Sequence, residues 1–372
     1  MLQTALLATR HAVRDALRAE LGGKADSGGA PGGIEKPRVL VALSGGADSL
    51  ALAAAVAFVA SREGFTAGAV IVDHGLQLGS AAVADRAADQ ARGLGLEPVV
   101  IRRVAVAAAG ERADGPEAAA RDARYAALAD VARQLGARAI LTAHTRDDQA
   151  EQVLLGIARG SGARSIAGIP PRRELGDGLV VLRPFVRPDP SITREITVAA
   201  CGEARLEPWQ DPHNADHAYA RVRVRETVLP TLERELGPGV VAALARTADL
   251  AREDAEAFDE IIEEQIEEIV EHAEAGIAVS VGALAANPAA LRHRIIRRVA
   301  EAEFGSELSR EHTLAIASLV THWRGQGPIE VPGITVSRAG SRIAFTRRLG
   351  SPRSGQPATA DGVAATPPAV EE

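Results

Sequence analysis

The chain has 372 residues, of which 46% are hydrophobic and 24% are charged, and its formal net charge at pH 7 is −7. This composition excludes a largely disordered chain, and charged residues interrupt every long apolar run, which excludes a membrane-spanning helix. The single cysteine, Cys201, excludes an internal disulfide and any chemistry that needs two thiols. We therefore expect a cytoplasmic protein of about two domains with no membrane partner.

The N-terminal segment has apolar residues at helical spacing, interrupted by Arg and Asp. It lacks the apolar core and the small-residue cleavage site of a signal peptide, so we predict a helix of the mature protein. A Gly-rich stretch at 23–37 then separates this helix from the first predicted strand.

Four short apolar strands next alternate with four helical patterns. The predicted strands are Val39–Leu43, Ala69–Val72, Val99–Arg102 and Ala139–Thr142. The predicted helices are Ser49–Ser61, Ala81–Leu94, Glu117–Leu135 and Asp147–Arg159. Alternation of continuous apolar strands with helices predicts the α/β class, with a parallel, doubly wound sheet covered by helices on both faces.

After Asp211 the pattern changes to long helices, followed by two short strand-like runs between 329 and 348. We predict a first domain at 1–213 and a mainly helical second domain at 214–350. Residues 351–372 are rich in Pro, Ala, Ser and Thr without periodicity, which predicts a disordered tail.

Charge is distributed unevenly in the second half of the chain. Residues 246–274 contain twelve acidic residues and two arginines, which is typical of a solvated helical face. Residues 281–350 contain ten arginines and five glutamates, which leaves open a basic surface that contacts phosphate groups.

The sequence SGGADS, Ser44–Ser49, lies between the first strand and the helix that follows it. Ligands of parallel α/β sheets bind at the carboxyl ends of the strands. Glycines there let backbone N–H groups approach an anion closely, and the helix start adds its positive dipole end. The turn therefore predicts a phosphate-binding loop. It lacks the lysine of the Gly-Lys-Ser/Thr loop and the glycine spacing of the dinucleotide-binding fingerprint.

Without that lysine a metal ion has to help neutralise the phosphates, and Asp48 is placed to hold Mg²⁺. The alternative is an ordinary turn in which Asp48 caps the helix. The stretch resembles the loop of the N-type ATP pyrophosphatases, which cleave ATP between its α and β phosphates and adenylate a substrate oxygen. In that group the end of the second strand lies near the adenine, which makes Asp73 and His74 candidates for the nucleotide pocket. A purely structural His74 is the alternative.

The predicted helix at 117–135 carries Arg121 and Arg124, which lie three residues apart and therefore on one face. Arginines there suit a phosphate or a tRNA backbone, because a guanidinium group binds two oxygens at once. The alternative is a solvated helix face.

His144 ends the fourth strand and precedes a helix whose first turns carry Asp147, Asp148 and Glu151. Carboxylates at a helix start are often caps, which is the alternative here. However, these residues leave the same sheet edge as Ser44–Ser49. A histidine there can move a proton near neutral pH, and a carboxylate can position a cationic amine.

A third stretch, Glu207–Leu232, contains a Trp-x-Asp-Pro-x-Asn turn and then a helix with Arg221, Arg223 and Arg225. A linker followed by an amphipathic helix is the alternative interpretation.

The order and spacing of these motifs, from Val39 to Leu232, resemble those of the tRNA(Ile)-lysidine synthases. The shared motifs are Ser-Gly-Gly-x-Asp-Ser, Val-Asp-His-Gly, Glu-x-x-x-Arg-x-x-Arg-Tyr, Ala-His-x-x-Asp-Asp-Gln and Trp-x-Asp-Pro-x-Asn. The chain departs from the usual pattern at Gln152, where that family has threonine. Beyond Leu232 the resemblance is general.

The resemblance implies ATP-dependent ligation of L-lysine to C2 of the wobble cytidine in the CAU anticodon of tRNA(Ile), with release of AMP and pyrophosphate. It implies ATP and Mg²⁺ as cofactors and tRNA(Ile) and L-lysine as partners, and it leaves a homodimer open. The implied catalytic residues are Asp48, His144, Asp148 and Arg221. The implied nucleotide-binding residues are Ser44, Gly45, Gly46, Ala47, Asp48, Ser49, Asp73 and His74, with Asp48 also holding the metal. The residues implied to bind lysine or tRNA are Arg121, Arg124, Asp147, Gln149 and Arg225.

Two other functions stay open at this point. A tRNA thiolase of the same fold would relay sulfur on paired cysteines or a cluster, which Cys201 alone does not support. A non-catalytic nucleotide- or RNA-binding module would have no need of Ser44, Asp48, His144 and Asp148, all of which are present.

Overall fold

The computed structural model describes residues 4–22, 36–75, 79–104, 115–160, 162–273 and 276–348. The tail predicted at 351–372 and most of the Gly-rich stretch lie outside these residues. The chain divides into two compact units, Met1–Ala255 and Glu256–Glu372, whereas the sequence prediction placed a domain boundary at residue 213. Among the described helices, none combines the length and the apolar character that a membrane crossing requires.

A six-stranded sheet forms the centre of the first unit. Its strands are β1 (Arg38–Ala42), β2 (Thr66–Asp73), β3 (Val99–Arg103), β4 (Ala137–Leu141), β5 (Arg172–Glu174) and β6 (Val180–Leu182). The order across the sheet is β3-β2-β1-β4-β6-β5, and all neighbours are parallel except β5 and β6. The predicted parallel α/β sheet is confirmed, and all four predicted strands belong to it.

The helices of this unit are α1 (Ala5–Leu21), α2 (Ala47–Glu63), α3 (Ser80–Gly93), α4 (Gly115–Gln134), α5 (Arg146–Ala158), α6 (Ala163–Ile166), α7 (Arg194–Glu203), α8 (Ala220–Arg223), α9 (Leu229–Leu236) and α10 (Val240–Ile269), the last of which extends into the second unit. Successive strand residues point to opposite faces of the sheet. Val39 and Val41 therefore pack with α1, α2, α3 and α7, whereas Leu40 packs with α4. The sheet is buried on both faces, which explains its continuous apolar strands.

The second unit combines helices with an antiparallel sheet. Its other helices are α11 (Val281–Ala286), α12 (Ala289–Phe304) and α13 (Arg310–Thr321), and its strands are β7 (Val270–Ala273), β8 (Gly276–Ser280), β9 (Ile329–Val331), β10 (Ile334–Ala339) and β11 (Arg342–Arg347). The sheet order is β7-β8-β11-β10-β9. The two strand-like runs predicted from the sequence form β9, β10 and β11. The pair β7 and β8 was not predicted, because β7 follows α10 directly and carries charged residues.

Gly68 lies in β2 where another backbone segment approaches closely. A Cβ there would lie 2.5 Å from Pro98 O and 2.9 Å from Leu40 Cδ2. We expect Gly68→Ala to lower the free energy of unfolding by about 3 kcal/mol, since a clash with a backbone oxygen is not relieved by rotating a side chain. Gly93→Ala is the control, because its Cβ would meet nothing within 4 Å. Urea unfolding measures both variants, and equal losses would contradict this explanation.

Candidate active site

The predicted phosphate-binding turn links the end of β1 to the start of α2. Gly45 has a φ of +85°, which favours glycine, and a Cβ there would lie 3.3 Å from the Cβ of Ala87. The Ser49 hydroxyl donates to Gly46 O at 3.0 Å and lies 3.1 Å from the Ser44 hydroxyl, which closes the turn. Gly46 is the N-cap of α2 and has no side chain to cap it. The backbone N–H groups of the first turn therefore suit an anion.

Asp48 lies in the first turn of α2, but its carboxylate contacts α7. Thr197 donates its hydroxyl hydrogen to Asp48 Oδ1, and Arg194 Nε lies 3.8 Å from Oδ2. Burial raises the pKa of Asp48, although the Thr197 hydrogen bond and the Arg194 charge act in the opposite direction. The carboxylate is held across the gap between two helices, which differs from the geometry of a helix cap.

The residues beside the phosphate-binding turn fit a magnesium ion that takes one protein ligand, the Asp48 carboxylate, and not one that is coordinated by protein side chains alone. In the part of the chain that the structure describes, no group of three or more His, Cys, Asp or Glu side chains could hold a metal ion. Mg²⁺ at nucleotide sites takes one or two carboxylates, and water and phosphate oxygens supply the other ligands. The Asp48 side chain is 28% exposed beside the phosphate-binding turn, which suits this arrangement.

A cavity of about 690 Å³ opens at the carboxyl ends of β1, β2 and β4. Its lining joins predicted residues from four separate stretches of sequence: Ser44, Asp48, Ser49, Asp73, His74, Arg124, His144 and Asp148. Residues outside the predicted set also line it, among them Tyr125, Thr142, Trp209, Asp211 and Tyr219. The volume is typical of a pocket for a nucleotide-sized ligand.

Asp73 and His74 form the cavity wall at the end of β2. Gly75 N donates to Asp73 Oδ1 at 3.0 Å, and Arg103 Nε lies 3.5 Å from Oδ2. The Gly75 hydrogen bond lowers the pKa of Asp73, so this carboxylate is ionised at neutral pH. The Nδ1 atom of His74 is buried and has no hydrogen-bond partner among the described residues. A bound ligand would satisfy this nitrogen, which favours a nucleotide-pocket role for His74.

His144 follows β4 and lines the same cavity. Its Nδ1 lies 3.1 Å from Thr142 Oγ1, which restricts the ring. Burial lowers the pKa of His144 to about 3, with Arg183 and Arg121 acting in the same direction and Asp148 opposing them. The imidazole is therefore neutral at physiological pH and carries one ring nitrogen that accepts a hydrogen bond.

We expect the His144 ring to remain neutral from pH 8 down to about pH 5, because its depressed pKa lies well below this range. An NMR titration of the histidine ring C–H signals checks this, with the His144 signal assigned by its loss in His144→Gln. A signal without an inflection in this range is the expected result. An inflection near about pH 6.5, the ordinary histidine value, would contradict the geometry.

Asp148 is both a helix cap and a cavity residue. One oxygen, Oδ2, accepts hydrogen bonds from Thr145 N at 2.8 Å and Thr145 Oγ1 at 3.2 Å, which begins α5. The other oxygen accepts from Arg194 Nη2 at 3.2 Å. Burial disfavours the charged form, but the charges of Arg194 and Arg221 and the Thr145 backbone hydrogen bond outweigh it and lower the pKa of Asp148. The capping alternative is therefore correct for one oxygen and leaves the second oxygen for a cationic group.

Glu151, one turn further along α5, is a buried carboxylate surrounded by arginines. Its side chain is 0% exposed. Arg225 binds it with two contacts of 2.7 and 3.2 Å, Arg221 Nε lies at 3.1 Å and Arg194 Nη1 at 3.5 Å. Together with the residues above, these side chains form one acid–arginine cluster: Asp48, Asp148, Glu151, Arg194, Arg221 and Arg225.

Asp147 and Gln149 do not line the cavity. Asp147 Oδ2 accepts from the backbone N of Arg194 at 2.8 Å, which holds the start of α7. Gln149 is 0% exposed and exchanges two hydrogen bonds with the backbone of Ile169, at 2.6 and 2.9 Å. Both side chains bind backbone groups around the site. Direct contact of Asp147 or Gln149 with lysine or tRNA remains a prediction.

Arg121 and Arg124 flank the aromatic ring of Tyr125. Their guanidinium carbons lie 5.4 and 5.8 Å from the ring centroid. Burial lowers the pKa of Arg124, the one of the two that lines the cavity. Arg183 donates to the Tyr125 hydroxyl at 3.3 Å and fixes the ring. This wall combines positive charge with an aromatic surface, which suits a phosphate or an unstacked base.

Cys201 is buried in the packing of α7 against α2, and its Sγ donates to Ala47 O at 3.3 Å. Burial raises the pKa of this thiol to about 11, with Asp48 acting in the same direction. The thiol is therefore protonated at neutral pH and unsuited to sulfur transfer.

Comparison with known proteins identifies the family. Residues 24–232 match the PP-loop domain, and residues 280–343 match the TilS substrate binding domain. A tRNA(Ile)-lysidine synthase from Leifsonia xyli is 56% identical over 317 residues, which cover 85% of this chain and 90% of that protein. A tRNA(Ile)-lysidine synthase from Streptomyces coelicolor is 50% identical over 324 residues, which cover 85% and 87%. The chain belongs to the tRNA(Ile)-lysidine synthase family.

The two matched segments of this tRNA(Ile)-lysidine synthase family member lie one on each side of the boundary between its compact units. The solved structure of the U34-tRNA thiolase NcsA from Methanococcus maripaludis, with its 4Fe-4S cluster, is also similar. It has a TM-score of 0.50 and 16% identity, and covers 66% of this chain and 78% of the thiolase. That likeness shows a shared fold alone. The family relatives favour the lysidine synthase interpretation over the thiolase and the non-catalytic module.

Proposed function

We propose that this protein ligates L-lysine to C2 of the wobble cytidine in the CAU anticodon of tRNA(Ile), in an ATP-dependent reaction that forms lysidine. One cavity lined by the phosphate-binding turn, Asp48, His144 and Asp148 carries the proposal, in a chain of this family. The C2 oxygen of cytosine is a poor leaving group. Adenylation of this oxygen lets the amine of lysine displace it as AMP.

The phosphate-binding turn and Asp48 act on ATP. Backbone N–H groups at Gly46 and the start of α2 hold phosphate oxygens, and the wall formed by Asp73 and His74 receives the base. Asp48 would hold Mg²⁺ here, and the ion would supply positive charge to the phosphates for the departure of pyrophosphate. Thr197 and Arg194 orient the Asp48 carboxylate, which fixes where that charge is placed.

The acid–arginine cluster acts on lysine. The oxygen of Asp148 that does not cap α5 already accepts from Arg194. In this proposal the same oxygen also binds the ammonium group and keeps it beside the neutral ring of His144, which accepts a hydrogen bond from it. Lysine attacks only as a neutral amine, so the ammonium proton has to pass to the accepting ring nitrogen of His144 or to the Asp148 carboxylate as the C–N bond forms. Arg221 and Arg225 neutralise the Glu151 carboxylate and so hold the part of the cluster that surrounds Glu151 on α5.

The tRNA has to present its wobble cytidine outside the anticodon stack, because a stacked base does not reach an enclosed cavity. Arg121 and Arg124 beside Tyr125 suit the phosphates next to that base. Residues 1–213 carry the nucleotide chemistry in this proposal, and residues 214–350 bind the tRNA outside the anticodon loop.

The experiment is a reaction of the full chain with tRNA(Ile), ATP, Mg²⁺ and isotope-labelled L-lysine, followed by mass spectrometry of the tRNA nucleosides. The expected product is a labelled cytidine derivative that is heavier by one lysine residue and is absent when the wobble base is uridine. A sulfur-containing nucleoside would instead support a thiolase. ATP binding without any modified nucleoside would support a non-catalytic module.

A further inference from the structure

The arginines of the second unit differ in what they contact. On α12, Arg298 pairs with Glu263 at 2.8 Å and Arg294 pairs with Asp259 at 3.7 Å, both on α10. Arg292 donates to Asn287 O at 2.9 Å. Much of the positive charge of α12 is therefore paired with carboxylates of α10. Less of this charge is left to bind a polyanion.

A different surface of the same unit combines positive charge with an exposed aromatic ring. Trp323 follows the end of α13 and is 39% exposed. The guanidinium carbon of Arg338 on β10 lies 5.2 Å from its ring centroid. Arg338 donates to Leu319 O at 2.9 Å and to Gly340 O at 3.1 Å, so backbone carbonyls hold it. In the described ranges neither Arg338 nor the exposed Arg324 pairs with a carboxylate, and their positive charge is uncompensated.

Hydrogen bonds hold the segment that carries Trp323 in a defined conformation. Gln326 Oε1 accepts from Arg324 N at 2.6 Å, and Gln326 Nε2 donates to His322 O at 3.1 Å. The Thr321 hydroxyl lies 2.8 Å from His322 Nδ1. A segment that is already ordered loses little conformational entropy when a ligand stacks on a side chain that it carries.

The size of this surface decides between classes of partner. A stable protein interface buries about 800 Å² on each side around several apolar anchors. Here the large exposed apolar side chains of the described second unit are few: Trp323, Leu314 and Ile261. One indole beside the guanidinium group of Arg338, with the exposed Arg324 next to it in the chain, instead matches an unpaired nucleobase with its neighbouring phosphates.

We propose that Trp323 and Arg338 form a stacking site for an unpaired base of the tRNA substrate, with Arg324 contacting an adjacent phosphate. The match of residues 280–343 to a substrate binding domain agrees with this location but specifies no contact residue. The inference rests on the proposed function for the identity of the RNA.

The test is the affinity of the full chain for fluorescently labelled tRNA(Ile), measured by anisotropy without ATP or lysine. We expect Trp323→Ala to weaken binding about tenfold, Arg338→Gln to weaken it severalfold, and Trp323→Phe to keep most of the affinity, because phenylalanine also stacks. Leu314→Ala is the matched control, since it removes an equally exposed apolar side chain from α13. Arg324→Ala should reduce the salt dependence of binding by about one phosphate contact.

In turnover assays, Trp323→Ala should raise the KM for tRNA by about the same factor and leave kcat and the affinity for ATP unchanged. Unchanged tRNA affinity in Trp323→Ala, or an equal loss in Leu314→Ala, would overturn the stacking site. Arg338→Gln provides a second variant should Trp323→Ala fail to fold, and wild-type affinity in it would also overturn the proposal. Because binding is read without turnover, an absence of lysidine would count against the proposed reaction and not against this site.

Discussion

Asp48→Asn is expected to lower the rate of lysidine formation by about a thousandfold while the protein stays folded. The amide keeps an oxygen for the Thr197 hydrogen bond but removes the negative charge that holds the metal beside the phosphates. Rates are measured from labelled lysine joined to tRNA under saturating ATP.

Asp85→Asn on the exposed side of α3 is the matched control and should keep full activity. Thr197→Val should fall between the two, with a loss of about tenfold, because the carboxylate is present but less well oriented. Activity of Asp48→Asn within a few-fold of the wild type would remove Asp48 from the mechanism.

Glu151→Gln is the second change with a large expected effect. The substitution leaves Arg194, Arg221 and Arg225 without the buried charge that they surround. We expect the free energy of unfolding to fall by about 3 kcal/mol, because an uncompensated buried charge is unfavourable. Lysidine formation should also be lost, since Arg221 and Arg225 lose the carboxylate that positions them in the cluster.

Glu195→Gln provides the control, because this glutamate is exposed on α7 and should change stability by less than about 0.5 kcal/mol. Urea unfolding gives the stability of each variant. Equal stability of Glu151→Gln and the wild type would show that the cluster does not depend on this carboxylate.

The sequence was most informative where local pattern and long-range structure agree. The apolar strand β1, the glycine turn and α2 follow from apolar residues and glycine positions within one short segment, and the structure has them as predicted. The convergence of Asp48, Asp73, His144 and Asp148 on one cavity was predictable because parallel strands bring their carboxyl ends to one edge.

The sequence was less informative where side chains meet across distant segments. Arg194 and Thr197 lie on α7, outside any motif that was singled out, and their roles depend on how α7 packs beside α2 and α5. Their spacing of three residues places them on one helix face, which was the available signal. Gln149 is a second case, because its place in a motif suggested ligand contact and only the structure shows its hydrogen bonds to the backbone of the distant Ile169.

The most direct test of the central claim uses ATP that carries a labelled phosphate group. The protein is incubated with tRNA(Ile), Mg²⁺ and this ATP, without lysine, and the product that carries the label is identified. With ATP labelled at the α phosphate, the account predicts label on the tRNA that later addition of unlabelled lysine releases as AMP. With ATP labelled at the γ phosphate, it predicts label only in pyrophosphate. Transfer of the γ phosphate to tRNA, or transfer of the α phosphate to lysine instead of tRNA, would contradict activation of the cytidine oxygen by adenylation.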